Sequence, residues 1–204
     1  MLFLQTTASW FSHIEPLDRK IFYLVNVSGS TDFFDSLFVF MREANLWVPL
    51  YLFLLVFTLV NFGKRGSLWF IFFACTAGAC DLVASHLVKE TIFRLRPCQN
   101  PDLADRMRSL AHYCPQSSSF VSAHAATHFG LAVFVVATLR KYTSSWIRLF
   151  FAWAGLISYA QVYVGVHYPF DVLCGALIGS GLGYFMARIF NNYVGLISLQ
   201  HKLS

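Results

Sequence analysis

Apolar residues in this chain come in long, nearly unbroken runs. Four of them, at about 67–88, 120–139, 146–165 and 168–187, approach the 20 residues a helix needs to cross a bilayer. A fifth, 46–62, is shorter but strongly apolar, with Pro49 in its first turn, where a missing N–H costs nothing. Between Leu17 and Met41 the pattern changes: Asp18, Arg19, Lys20, Asn26, Asp32 and Asp35 interrupt the apolar positions, and Ser28-Gly29-Ser30 breaks them. A charge at the bilayer centre costs about 2.5–3.5 kcal/mol on insertion scales. Two short amphipathic helices lying in the interface are therefore predicted here, with a sixth, poor span as the alternative. In the last run Gly175, Gly179 and Gly183 recur every four residues, which lets two helix backbones approach closely in lipid. The predicted architecture is an all-α integral membrane protein. Residues 1–45 form N-terminal interfacial helices, 46–190 a bundle of about five transmembrane helices, and 191–204 a tail.

Composition agrees with lipid as the solvent. The 204 residues are 57% hydrophobic and 12% charged, about half the charge of a soluble domain. Met1 to Trp10 lacks the basic stretch and cleavage site of a secretory signal, so the first span is expected to direct insertion. The net charge of +5 is not arranged as a basic stripe with interleaved aromatics. This argues against nucleic acid as a partner and for membrane lipids and phosphates.

Connections are short except at 95–119, a loop rich in Arg, Asp, Pro and Ser, where function is to be sought. One side of the predicted bundle carries Lys64, Arg65, Arg140, Lys141, Arg148, Arg188 and Lys202 without an acid; the other carries the remaining eight Lys/Arg and all ten acids. Seven against eight does not orient the chain by itself. Setting aside Lys89, Arg94 and Arg96 as candidate phosphate ligands tips the acid-free side towards the cytoplasm of a plasma (inner) membrane. The loop side then faces outward. Cys98 and Cys114 flank that loop and can pair if it meets an oxidising compartment, whereas Cys75, Cys80 and Cys174 lie in apolar runs.

Antiparallel spans place Lys89, Ser122, His124, Gln161, His167 and Asp171 at one membrane face. Lys89 and Arg96 offer fixed positive charge, and arginine grips phosphate oxygens bidentately. Ser122 stands at a helix start, where backbone N–H groups favour an anion. His167 and Asp171 are four apart, so on a helix the carboxylate can hold one ring nitrogen and leave the other free to attack. His124 is then placed to act as acid and later as base. Asp81 and His128, deeper in the runs, read as a structural pair. No HExxH pattern or paired Cys/His spacing points to a metal, and no cofactor is expected.

These residues resemble the type 2 phosphatidic acid phosphatases, the PAP2 or lipid phosphate phosphatase superfamily. Its K-x6-R-P motif is matched by Lys89 to Pro97 (KETIFRLRP). Its P-S-G-H motif is matched in part by Val121-Ser122-Ala123-His124. Its S-R-x5-H-x3-D motif keeps His167 and Asp171 at the right spacing but reads Ala160-Gln161 at its start. The resemblance covers about residues 46–190. It implies that His167 attacks phosphorus to give a phosphohistidine, that Asp171 orients it, and that His124 protonates the leaving oxygen and then activates water. It also implies that Lys89, Arg96 and Ser122 hold the phosphate without a metal.

Two departures matter. Gln161 stands where the family has arginine, and loss of one preorganised donor to a developing anion costs roughly 3–4 kcal/mol in known cases. Arg94 or a basic residue of the 98–114 loop is a candidate to compensate. Ala123 in place of glycine crowds the backbone near the phosphate. The expected function is hydrolysis of a lipid phosphate monoester or pyrophosphate, with phosphatidic acid, phosphatidylglycerol phosphate, a polyprenyl pyrophosphate and a phosphorylated lipid A all open as substrates. The alternative is a non-catalytic lipid-phosphate binder or scaffold on the same fold.

Overall fold

A computed structural model describes residues 2–197. Lys202 and the part of the expected tail from residue 198 onward lie outside them. The described residues form helices, turns and loops, without a strand. The main helices are α1 (Leu2–Tyr23), α2 (Asp32–Met41), α3 (Val48–Phe62), α4 (Lys64–Thr91), α5 (Ala123–Leu139), α6 (Leu149–Tyr163) and α7 (Pro169–Tyr193). By length and composition three of the described helical segments can cross a membrane: Ala44–Phe62, which contains α3, then α4 and α7. Helix α5 is apolar but has 17 residues. Helix α6 has 15, preceded by a 3₁₀ turn at Ser145–Arg148.

The packing centre is the α5–α7 pair, and the glycine stripe explains why. Asp171, Gly175, Gly179, Gly183 and Ala187 form the buried face of α7. A Cβ added at Gly175, Gly179 or Gly183 would lie 2.4, 1.9 or 2.1 Å from the carbonyl oxygen of Ser122, Ala126 or Gly130 in turn. The two backbones thus run in contact over two turns. At the upper end Ser122 N–H donates to the Asp171 carbonyl at 3.1 Å, so the start of α5 is fixed to the start of α7. Below, Trp69, Phe73, Phe134, Leu139, Ile157 and Phe190 fill an apolar core shared by α4 to α7.

The N-terminal helices differ from expectation in two respects. The break falls where predicted, since the chain leaves a π turn at Leu24–Ser28 and α2 opens at Asp32 on a Thr31 cap. The first helix, however, is one rod from Leu2, with Pro16 inside it. Two of the charges that argued for a short segment are paired: Arg19 meets Glu15 at 2.7 Å, and Asp18 meets Arg94 at 2.6 Å. Nor do α1 and α2 stand apart from the bundle across the expected boundary at residue 45. Phe22, fully buried, packs on Tyr168 at 5.8 Å, and Phe38 packs on Tyr163 at 4.8 Å. Asn26 ties three segments together, donating to the Arg108 and Tyr163 carbonyls at 2.8 and 2.7 Å and accepting from Arg108 N–H at 2.8 Å.

Candidate active site

The long loop is pinned at both ends over the tops of α4 to α7. Cys98 and Cys114 are joined as a disulfide, with Cα atoms 6.0 Å apart. Ser118 Oγ accepts from Arg94 N–H at 3.0 Å and donates to the Ile92 carbonyl at 2.8 Å. Beneath this loop opens a cavity of about 520 Å³ lined by Lys89, Arg96, Ala123, His124, Gln161 and His167, and also by Arg42, Asp81, Tyr113 and His128.

His167 lies in a continuously buried stretch between α6 and α7 and is 3% exposed. Arg96 Nη1 donates to its Nε2 at 3.1 Å. Arginine has only donors, so Nε2 accepts and the ring proton sits on Nδ1. That nitrogen faces Asp171 Oδ2 at 3.8 Å and Ser119 Oγ at 3.5 Å. The arrangement fixes the tautomer, with the Nε2 lone pair accepting from Arg96, which lines the cavity beside His167. Burial pushes the imidazole pKa down to about 4, with the Asp171 carboxylate opposing and the Arg96 charge adding to the fall. The ring is therefore neutral at physiological pH.

Asp171 is fully buried and saturated. Its Oδ2 accepts from Ser119 Oγ at 2.5 Å and from Tyr168 N–H at 2.9 Å; its Oδ1 accepts from Arg94 at 2.5 Å. The Tyr168 contact also caps α7, so one carboxylate orients a histidine and starts a helix.

Lys89, Arg96, Ala123 and Gln161 line the cavity, whereas Arg94 and Ser122, also expected as phosphate ligands, do not. Arg94 is 7% exposed, and its guanidinium lies between Asp171 and Asp18, 4.0 Å over the Tyr168 ring. Each terminal nitrogen is paired with a carboxylate, and the group braces Asp171 from outside the cavity that His167 lines. Asp18 in turn accepts from Phe170 N–H at 2.8 Å, which carries the brace into α1.

Arg96 is held differently. It donates to the Ser117, Ser118 and Val166 carbonyls at 2.9, 3.2 and 3.0 Å, and to Ser117 Oγ at 3.1 Å. Carbonyls fix the group without cancelling its charge, so the positive field stays directed at the cavity. Lys89 follows a π-helical stretch of α4, Val83–Val88. Local widening of this kind recurs at functional sites.

Ser122 caps α5, its Oγ accepting from Ala125 N–H at 3.4 Å, while its own N–H goes to Asp171. Its hydroxyl oxygen thus serves the helix start, and Ala123 and His124, next in the chain, form the cavity wall. Gln161 is fully buried on that wall, and neither its Oε1 nor its Nε2 has a partner among the described residues. Asp81 and His128 both line the cavity, but each bonds within its own helix: Ser85 Oγ donates to Asp81 at 3.1 Å, and His128 Nδ1 donates to the His124 carbonyl at 2.7 Å.

Sequence reasoning missed three contributors. Ser119 is hidden in a run of serines, and Asp18 looked like an interfacial charge. Arg42 sat outside every motif. Only the four-residue spacing of Asp18 from Phe22 on a predicted helix hinted that one of them faces the bundle.

Known proteins share parts of this chain's sequence and its fold. A lipid A 4'-phosphatase of Bacteroides thetaiotaomicron is 35% identical over 150 residues, 70% of this chain and 65% of that protein. The chain thus aligns with slightly less than two thirds of that relative's length. An undecaprenyl-diphosphatase of Sulfolobus acidocaldarius is 30% identical over 175 residues, 83% of this chain and 77% of that protein. Among solved structures, the PAP2-type phosphatidylglycerolphosphate phosphatase of Bacillus subtilis superposes with a TM-score of 0.65 at 23% identity, covering 95% of this chain and 94% of that one. Aquifex aeolicus LpxE gives 0.62 at 24%, covering 84% and 95%. These two likenesses establish the fold. The sequence model of the PAP2 superfamily matches residues 66–194, from the start of α4 to just past the end of α7. With the motif residues of α4, α5 and the α6–α7 junction inside that match, the chain belongs to the PAP2 superfamily.

Proposed function

We propose that this protein hydrolyses a phosphate monoester or diphosphate of a membrane lipid through a phosphohistidine intermediate. The observation that carries the reading is a neutral His167, its Nδ1 proton towards Asp171 and its Nε2 lone pair at a cavity bordered by Lys89, Arg96 and His124. In this reaction Arg96 Nη1 turns from Nε2 to a phosphoryl oxygen, the freed Nε2 lone pair attacks phosphorus and the bond to the leaving oxygen breaks. His124 gives that oxygen its proton. Water then attacks the phosphohistidine, His124 takes the water's proton, and the P–N bond breaks to release phosphate. Lys89 and Arg96 stabilise the charge that develops on the phosphoryl oxygens. Asp171 stabilises the positive charge His167 acquires.

The family, the apolar helices and the lipid-phosphate relatives all favour a lipid substrate. In our reading α3 to α7 are five spans, and the 92–122 loop faces the extracytoplasmic side. The Cys98–Cys114 disulfide supports that orientation, because such bonds persist in oxidising compartments. Labelling intact cells with a membrane-impermeant thiol reagent after reduction tests it: reaction at Cys98 and Cys114 is expected, and reaction only after lysis overturns the orientation.

The catalytic reading is tested by offering purified protein in detergent a panel of lipid phosphates and diphosphates. Phosphate release is expected, together with a phosphorylated protein that is labile to acid and stable to alkali. Folded protein that binds the panel and releases nothing sinks the reading and favours a lipid-phosphate binder.

A pH profile follows from the burial of His167. Its folded pKa of about 4 lies below the unfolded value of about 6.5, so the nucleophile stays neutral until the pH falls towards 4. The acid limb of kcat/KM that belongs to the nucleophile is expected near 4, with activity persisting at pH 5.5. A limb near 6.5 would show that His167 is not sheltered. By linkage the unfolded chain binds this proton first, so His167 lowers stability as pH falls below about 6.5, and the loss levels off below 4.

A further inference from the structure

Two features of the cavity have no counterpart in the catalytic set. The first is Gln161, whose amide is fully buried with both polar atoms unpartnered among the described residues. A buried amide left without hydrogen bonds is costly, and this one borders the cavity. The second is Arg42, at the C-terminal end of α2, which borders the same cavity. Among the described residues no carboxylate lies within ion-pair distance of it, and its side chain makes no hydrogen bond. The other arginines near the site are committed: Arg94 to Asp18 and Asp171, Arg108 to Asp35. Arg96, also beside the cavity, is held by backbone carbonyls, whereas Arg42 borders it with no such partner among the described residues.

Its position relative to Gln161 is fixed by packing. Helix α2 lies along the end of α6 that carries Gln161. Phe38 packs on Tyr159 and Tyr163 at 5.0 and 4.8 Å. The Tyr163 hydroxyl donates to Asp35 at 2.6 Å, and Arg108 also pairs with Asp35. Just before Arg42, the Met41 carbonyl accepts from Trp47 Nε1 at 2.9 Å. Arg42 is therefore presented from a braced helix end. Burial lowers the proton affinity of Arg96, and the charge of Arg42 is among the neighbours that lower it further. Two arginines and Lys89 bordering one cavity, with Asp81 as its one carboxylate, call for an anion between them.

We propose that Arg42 is a substrate-binding residue, its guanidinium and the Gln161 amide together holding non-reacting oxygens of the phosphoryl group that His167 attacks. The proposal rests on the phosphatase reading for its substrate, and it adds to the site a residue outside the matched family region and outside all three motifs. The cation enters from α2 and the neutral amide from α6, two helices that both border the cavity.

The test uses inorganic phosphate as probe, so that it does not depend on turnover. Phosphate is titrated calorimetrically into purified full-length protein, as wild type, Arg42→Gln and the double variant Arg42→Gln/Gln161→Arg, with thermal unfolding of each recorded alongside. Arg42→Gln keeps most of the side chain and removes the charge. It is expected to weaken phosphate binding by about ten- to a hundredfold, as loss of one charged hydrogen-bonding group does, with little change in melting temperature. Returning a charge to the same cavity by Gln161→Arg is expected to recover most of that loss. An unchanged dissociation constant in Arg42→Gln overturns the proposal. So does a weakening that Gln161→Arg fails to relieve, which would assign Arg42 to holding α2. If wild type binds phosphate, loses it with Arg42, and releases none from any lipid, the phosphatase reading fails while Arg42 stands as an anion ligand.

Discussion

Replacing His167 with alanine is expected to lower phosphate release by at least about 10⁴-fold, to the background of the uncatalysed reaction in the cavity. Removing a covalent nucleophile in a hydrolase of known mechanism costs about 10⁶-fold. The geometry leaves no substitute: among the buried imidazoles of the described site only His167 has a carboxylate behind it. The second histidine, His124, starts α5 and has no such partner. The variant removes the acceptor of one Arg96 N–H, but that same Nη1 keeps the Val166 carbonyl at 3.0 Å, so the protein should remain folded. The reading is checked by single-turnover assay with a labelled lipid phosphate: His167→Ala should give neither released phosphate nor labelled protein. Retained labelling would place the covalent step on another residue.

Arg94→Met should be nearly as damaging to activity, and far more damaging to the fold. The substitution keeps the length of the side chain and leaves Asp18 and Asp171 buried with no cation between them. Breaking a buried pair by removing one partner costs about 3–5 kcal/mol, and here one cation serves two carboxylates at 2.6 and 2.5 Å. A fall of many degrees in melting temperature is expected. Because Arg94 lies behind Asp171 and does not border the cavity, the variant that remains folded should lose kcat while its affinity for inorganic phosphate stays within about threefold, well inside the tenfold that 1.4 kcal/mol would bring. A phosphate ligand would do the reverse. If phosphate binding collapses with kcat nearly intact, Arg94 faces the substrate after all and the brace is wrong.

The double Asp18→Asn/Arg94→Met variant should recover part of the lost stability, since it removes one of the two stranded charges along with the cation. No such recovery is expected in Asp18→Asn alone, where Arg94 keeps Asp171.

How much of this was legible in the sequence depends on how local the cause is. The apolar runs, the break at 28–30 and the glycine stripe come from lipid exposure and backbone approach, which leave periodic marks within a single helix. The pairing of His167 with Asp171 is local too: four residues separate them, and the helix geometry supplies the rest. By contrast, the length of α1 depended on whether its charges were paired. Asp18 reads as a surface charge until the fold brings Arg94 to it, 76 residues away in the chain.

The same division runs through the candidate site. The sequence by itself determined the membrane class, the family and the set of histidines, because these rest on composition and on motifs within single segments. Only the tertiary structure decided which arginine meets which carboxylate. Arg94 and Arg96 are two residues apart in one short loop, and residue type gives both the same chemistry. The fold sends Arg96 towards His167 and backbone carbonyls, and Arg94 into the gap between α1 and α7. Arg42, read from sequence as part of an interfacial helix, reaches the cavity because Phe38, Asp35 and Trp47 fix α2 there. Charges act through space and are assigned by packing, and contacts made between residues far apart in the chain leave no period in a sequence to read.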